Sequence, residues 1–73
     1  VDIFVQANDR QGLLRDISDV FVRQRINVIG VNTASRRGIA TMQFTAEVGD
    51  TGKLNAALVA VREIRGVFSA GRR

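Results

Sequence analysis

The chain is organised around Asn8-Asp9-Arg10-Gln11-Gly12-Leu13-Leu14, which joins a strand-like pattern to a helix-like one. Asp9 stands where a helix N-cap is expected, since its carboxylate could accept a hydrogen bond from an unpaired backbone N–H of the first turn. Gly12 then falls in that turn, where glycine costs roughly 0.5–1 kcal/mol relative to alanine. A ligand lying close to the backbone would explain the glycine, because free N–H groups and the helix dipole favour a carboxylate. A capped helix with an incidental glycine is the alternative, and the local sequence leaves both open.

Two different hydrophobic periods flank this stretch. Before it, apolar residues alternate with Asp2, Phe4 and Gln6, which predicts a half-buried strand with Phe4 on the face away from the core. After it, apolar residues recur at the longer spacing of a helix, which predicts a helix from Arg10 to Arg25. The core-facing stripe of that helix comprises Leu13, Ile17, Val20 and Phe21.

A β-hairpin is predicted next. The run Ile26–Ala34 is rich in β-branched residues and carries no charge, Arg36-Arg37-Gly38 makes a turn, and a second alternating run covers Ile39–Val48. The apolar positions of that second strand face one way, and Ile39, Thr41, Gln43, Thr45 and Glu47 face the other.

A second helix and a short strand complete the chain. Gly49-Asp50-Thr51-Gly52 can cap the helix, Gly66 fits its C-cap, and Val67–Ala70 reads as the last strand. The order β-α-β-β-α-β predicts an α+β, ferredoxin-like fold, with a four-stranded antiparallel sheet and both helices on one face. The usual strand order, 4-1-3-2, would leave the uncharged run Ile26–Ala34 on an edge, where a second copy could pair with it.

Composition narrows the function classes. The 73 residues suffice for one small domain and include no Cys, His, Tyr or Trp, which removes the common general bases, thiol nucleophiles and transition-metal ligands. No phosphate-binding glycine loop is present, and we expect no catalytic residue, metal or cofactor. No run is long and apolar enough to span a membrane, no signal peptide is recognisable, and a cytoplasmic fragment of a longer protein is expected.

The net charge of +4 permits a nucleic-acid partner, although the arginines are scattered along the chain. RNA-recognition modules share the predicted topology and stack bases on aromatic residues of the first and third strands. Here Phe4 is the one aromatic residue among the outward positions of those two strands, which makes a poor stacking platform.

The chain resembles an ACT domain, a small amino-acid-sensing module attached to metabolic enzymes. The resemblance lies in the order of elements and in the segments Asp9–Leu14 and Ile26-Asn27-Val28. The segments Ile26–Thr33, Arg37–Met42 and Arg62–Val67 are most similar to the C-terminal ACT domain of RelA/SpoT proteins. The likeness covers essentially the whole chain. One difference is Gln11, which stands where many ACT motifs carry proline.

The resemblance implies a regulatory domain, residues 1–73, of a parent that makes and hydrolyses (p)ppGpp in the stringent response. It also implies a homodimer that binds an amino acid, with branched-chain ones favoured, between the first-helix N-terminus of one copy and the second strand of the other. Matched by position, the ligand-binding residues are Asp9, Arg10, Gly12 and Leu13, with Asn27, Val28 and Ile29 from across the interface. A docking module that contacts tRNA, the ribosome or a protein is the alternative function.

Overall fold

The computed structural model describes residues 1–72 as six elements that alternate in the predicted order. They are β1 (Asp2–Asn8), α1 (Leu13–Arg23), β2 (Asn27–Arg36), β3 (Ile39–Glu47), α2 (Thr51–Arg62) and β4 (Val67–Arg72). The strands form one antiparallel sheet in the order β2-β3-β1-β4, which confirms the predicted topology and places β2 on an edge.

Alternation along the two central strands forms the sheet side of the core. Ile3, Val5 and Ala7 of β1 are fully buried, while Phe4 between them is only half-buried. Both helices supply the other side. The structure buries the predicted stripe of α1, which comprises Leu13, Ile17, Val20 and Phe21, and it buries Leu54, Ala57, Leu58 and Val61 of α2. The rings of Phe21 and Phe44 meet edge to face with centroids 5.1 Å apart, which joins α1 to β3 at the centre of the core.

The hairpin turn consists of Arg37 and Gly38, both with positive φ (54° and 77°). Two consecutive left-handed residues match the twist of the flanking strands, and glycine adopts that conformation without steric cost. The strand pairing continues to Arg36 opposite Ile39, so β2 reaches two residues beyond the predicted end at Ala34.

Several predicted boundaries were wrong by a few residues. Helix α1 spans Leu13–Arg23, not Arg10–Arg25, and Ile26 packs in the core before β2 begins. Helix α2 ends at Arg62 with Glu63 as its C-cap, so Gly66 lies in the following turn and is not the cap. Strand β4 extends to Arg72 because it pairs with β1 along that length.

Neither α1 nor α2, the two helices within residues 1–72, has the length and apolar character that a membrane-spanning helix needs. Their N-termini differ from each other. The Asp50 carboxylate accepts a hydrogen bond of 2.8 Å from the Gly52 N–H at the start of α2, as predicted, whereas no side chain caps α1.

Replacing Asp50 with alanine should lower the free energy of unfolding by about 1 kcal/mol, because the first-turn N–H group of α2 loses its acceptor. Urea denaturation followed by circular dichroism measures this change. Asp19→Ala is the matched control, since it removes an exposed carboxylate in the middle of α1 and should stay within roughly 0.5 kcal/mol of the wild type. Equal losses in the two variants would contradict the cap.

Candidate functional site

The loop between β1 and α1 has a different geometry from the one predicted. Gly12 is itself the N-cap of α1, with φ +81°, so it does not lie in the first helical turn, and Asp9 is not the cap. The left-handed conformation turns the chain sharply into the helix, and a side chain at this position would be strained. Its backbone conformation therefore explains this glycine.

Asp9 ties the loop to the hairpin instead. Its carboxylate accepts a hydrogen bond from the Ser35 hydroxyl of β2, and its N–H donates to the Gly38 carbonyl at 2.8 Å. The loop is thus fixed to the end of the edge strand on one side.

Arg10 ties the same loop to the turn between α2 and β4. Its Nε donates to the Arg65 carbonyl at 3.0 Å, and one Nη donates to the Gln11 carbonyl at 3.1 Å. The other Nη forms an ion pair of 2.7 Å with the Asp16 carboxylate in α1. The guanidinium is therefore held by three protein acceptors.

An open groove of about 270 Å³ lies between the start of α1 and the far half of β2. Four of the predicted ligand-binding residues line it: Asp9, Arg10, Gly12 and Leu13. Leu14, Arg15 and residues 33–35 form the rest of its walls, and the buried Ala40 and Met42 also line it. Carboxylate, guanidinium and apolar surface therefore meet within one site.

The other three predicted residues lie at the opposite end of β2. Asn27 donates to the Glu47 carboxylate at 3.4 Å, Val28 packs against the core, and Ile29 is 60% exposed at a bulge in the strand register. Within one copy these residues do not line the groove. Their ligand contacts across an interface stay a prediction.

Seven groove residues were missed from the sequence. Leu14 ends the stretch Asn8–Leu14 and Arg15 follows it, both in the first turn of α1, while Ala40 and Met42 belong to the apolar face of β3. Thr33, Ala34 and Ser35 carry no local signal, because only the long hairpin brings them beside α1.

Metal chemistry has no support in the part of the chain that the structure describes. Residues 1–72 contain no group of three or more carboxylate, imidazole or thiol side chains that could hold an ion. The groove is suited to binding small polar groups through hydrogen bonds and charge.

The family model described as "ACT domain" matches residues 1–72. This chain is an ACT domain. The resemblance seen in the sequence is thereby confirmed, as is the regulatory character of the domain.

Its curated relatives are similar over nearly the whole chain. They include the GTP pyrophosphokinase of Streptomyces coelicolor, with 40% identity over 73 residues, 99% of this chain and 9% of that protein. The bifunctional (p)ppGpp synthase/hydrolase RelA of Mycobacterium tuberculosis is 36% identical over 99% of this chain and 10% of its own length.

A solved structure agrees with the family model and with the curated relatives. The crystal structure of the ACT domain from the GTP pyrophosphokinase of Chlorobium tepidum superposes with a TM-score of 0.86 at 25% identity. The match covers 99% of this chain and 94% of that one, so an isolated ACT domain of this size folds without the rest of its enzyme. The chain spans about a tenth of the length of the curated relatives it matches.

Gly12→Ala should destabilise this ACT domain by about 1–2 kcal/mol, because alanine is strained at a positive φ. Gly49→Ala is the matched control: Gly49 is exposed, its φ is not positive and a Cβ there would meet no atom within 4 Å. Urea denaturation of both variants distinguishes a glycine needed for its backbone conformation from one needed for ligand access. A Gly12→Ala variant as stable as the wild type would contradict the conformational explanation.

Proposed function

We propose that this ACT domain binds a free amino acid in the groove at the start of α1, with branched-chain amino acids favoured. We propose further that it regulates, by allostery, a cytoplasmic enzyme that makes and hydrolyses (p)ppGpp in the stringent response. The curated relatives support the second part by the activities in their names, since each matches this domain over about a tenth of its length. The groove supports the first part.

The uncapped start of α1 is the observation that carries the proposal. The first N–H groups of a helix lack intrahelical partners, and here no side chain serves them. Leu14 and Arg15 therefore offer backbone N–H groups to a carboxylate, with the positive end of the helix dipole behind them. The Arg15 guanidinium adds a positive charge, since it makes no ion pair within residues 1–72.

The remaining parts of an amino acid also have matching surroundings. The Asp9 carboxylate lies on the groove wall, where an ammonium group could approach it. Leu13, Ala40 and Met42 supply buried apolar surface for an aliphatic side chain. At roughly 25 cal/mol per Å² of apolar surface, burying a leucine-sized side chain would contribute about 1.5–3 kcal/mol of binding free energy.

A homodimer through β2 would complete the site. Leu14, Ile29 and Val31 are 44%, 60% and 46% exposed, and β2 has an unpaired edge. If two copies paired antiparallel about a two-fold axis at Val31, residues 27–29 of one would lie opposite residues 33–35 of the other, which line the groove. This register would explain how the two separated groups of predicted residues come to share one ligand.

Docking to tRNA or the ribosome is the second candidate function. Arg36 and Arg37 are exposed at the tip of the hairpin, and the Asp9 N–H bond to Gly38 holds that tip beside the β1–α1 loop. Two adjacent arginines on a projecting turn could contact phosphates. Such binding would weaken steeply as salt is raised.

Leu14→Glu should weaken amino-acid binding at least tenfold, a loss of about 1.4 kcal/mol, because it sets a negative charge beside the expected ligand carboxylate. An acidic residue in the first helical turn is favourable for folding, so the variant should remain folded. Calorimetric titration of the 73-residue chain with L-leucine, L-isoleucine and L-valine measures the effect. Val59→Glu, the same kind of change at an exposed apolar site on α2, is the control.

The same two variants test regulation in the full-length protein that carries this domain. Leu14→Glu should change how amino acids shift the ratio of (p)ppGpp synthesis to hydrolysis, and Val59→Glu should not. Failure of the wild-type chain to bind any amino acid, together with salt-sensitive binding of tRNA, would favour the docking function instead.

Val31→Glu should raise the dimer dissociation constant at least tenfold. A two-fold axis at this residue would place two carboxylates face to face in the paired edges, where like charges repel. Sedimentation equilibrium over a range of protein concentrations measures the constant, again with Val59→Glu as the control. A wild-type chain that is monomeric at millimolar concentration would refute the proposed interface.

A further inference from the structure

The Arg10 guanidinium already donates to three protein acceptors. Its Nε and both Nη atoms donate to the Arg65 carbonyl, the Gln11 carbonyl and the Asp16 carboxylate at 2.7–3.1 Å. The side chain is 31% exposed, and its charge is already matched by the Asp16 carboxylate. A ligand carboxylate would have to compete with that ion pair for the same guanidinium. Arg15, on the same groove, would meet no such competition within residues 1–72.

The bond to Arg65 joins two parts of the chain 55 residues apart. A second bond runs beside it, from the Asn8 N–H to the Gly66 carbonyl at 2.8 Å. The turn between α2 and β4 is therefore attached to the β1–α1 loop through one backbone bond and one side chain. Because the same guanidinium also holds Asp16, the second turn of α1 belongs to this connected unit.

From these contacts we infer that Arg10 is a positioning residue. It fixes the first turns of α1 against the α2–β4 turn, and it transmits occupation of the groove to that turn, without itself contacting the ligand. The transmission rests on the proposed function of the groove, whereas the positioning rests on the contacts alone. The guanidinium suits this role because its planar fork reaches three acceptors at once, which the single ammonium of a lysine does not.

Amide hydrogen exchange of the ligand-free 73-residue chain, read by NMR, tests the positioning. The reporters are two N–H groups bonded within the unit, Asn8 to the Gly66 carbonyl and Leu13 to the Arg10 carbonyl. Arg10→Lys keeps the charge and loses the fork, so both amides should exchange at least fivefold faster relative to amides of the central strand β3. Asp19→Asn, which removes an exposed charge one turn beyond Asp16, should leave both unchanged. Exchange in Arg10→Lys that rises uniformly over the whole chain, or does not rise, would overturn the positioning role.

Titration with L-leucine tests the transmission. In the wild type, binding should shift the amide signals of Arg65 and Gly66. In Arg10→Lys saturated with L-leucine, those shifts should be lost. A tenfold or larger loss of affinity with the Arg65 and Gly66 shifts intact at saturation would show that Arg10 contacts the ligand, and would overturn the inference.

Failure of the proposed function would give a different result from failure of the inference about Arg10. If neither L-leucine nor any other amino acid binds the wild-type chain, the groove is not an amino-acid site and transmission by Arg10 fails with it. The ligand-free exchange data still decide the positioning role in that case.

Discussion

The candidate site depends on the central position of β1 in the sheet. This strand is paired with β3 on one side and with β4 on the other, and its inward side chains are fully buried. The loop that leaves its end therefore emerges between two other turns, the hairpin tip and the α2–β4 turn. Both are within hydrogen-bonding distance, at Gly38 and Gly66, so the backbone of Asn8 and Asp9 is fixed before any ligand or partner is considered.

The groove follows from a mismatch in length between two neighbouring elements. Strand β2 has 10 residues and α1 has 11, which correspond to about 33 Å and about 17 Å along their axes. The helix therefore covers only part of the strand, and residues 31–36 remain exposed beyond it. A small domain cannot bury this surface with its own residues. An occupant of the groove and a second copy at the edge, as proposed, would cover it together, and ligand binding and association would then depend on each other.

The hydrophobic period of each segment was enough to predict the fold, because that period can be read from residues that are close together in the sequence. The alternation along β1 and β3 and the apolar stripe of α1 predict the core, and the segment Gly49-Asp50-Thr51-Gly52 predicts a cap for α2. The conformation of the loop was not predictable in this way. Whether Asp9 or Gly12 caps α1 depends on the angle at which the chain turns back over the sheet, which is set by tertiary contacts. Ser35, which bonds Asp9, and Arg65, one of three partners of Arg10, are 26 and 55 residues away, so no motif of adjacent residues contains these pairs.

The charges around the groove support the proposal of a small zwitterionic ligand over that of a polyanion. Arg10 lines it, but its charge is matched by Asp16, whereas the Asp9 carboxylate has only a neutral hydroxyl as its side-chain partner within residues 1–72. Arg15 and the helix N-terminus then provide positive potential for one carboxylate, and Asp9 provides negative potential for one ammonium group.

A nucleic acid would need several unmatched cations in a row and would be repelled by Asp9. Arg36 and Arg37 could supply two of them only at the hairpin tip, so an RNA contact would use that tip and leave the groove open. The two proposed functions would therefore use neighbouring surfaces of one domain, and the Asp9 bonds to Ser35 and Gly38 connect those surfaces directly.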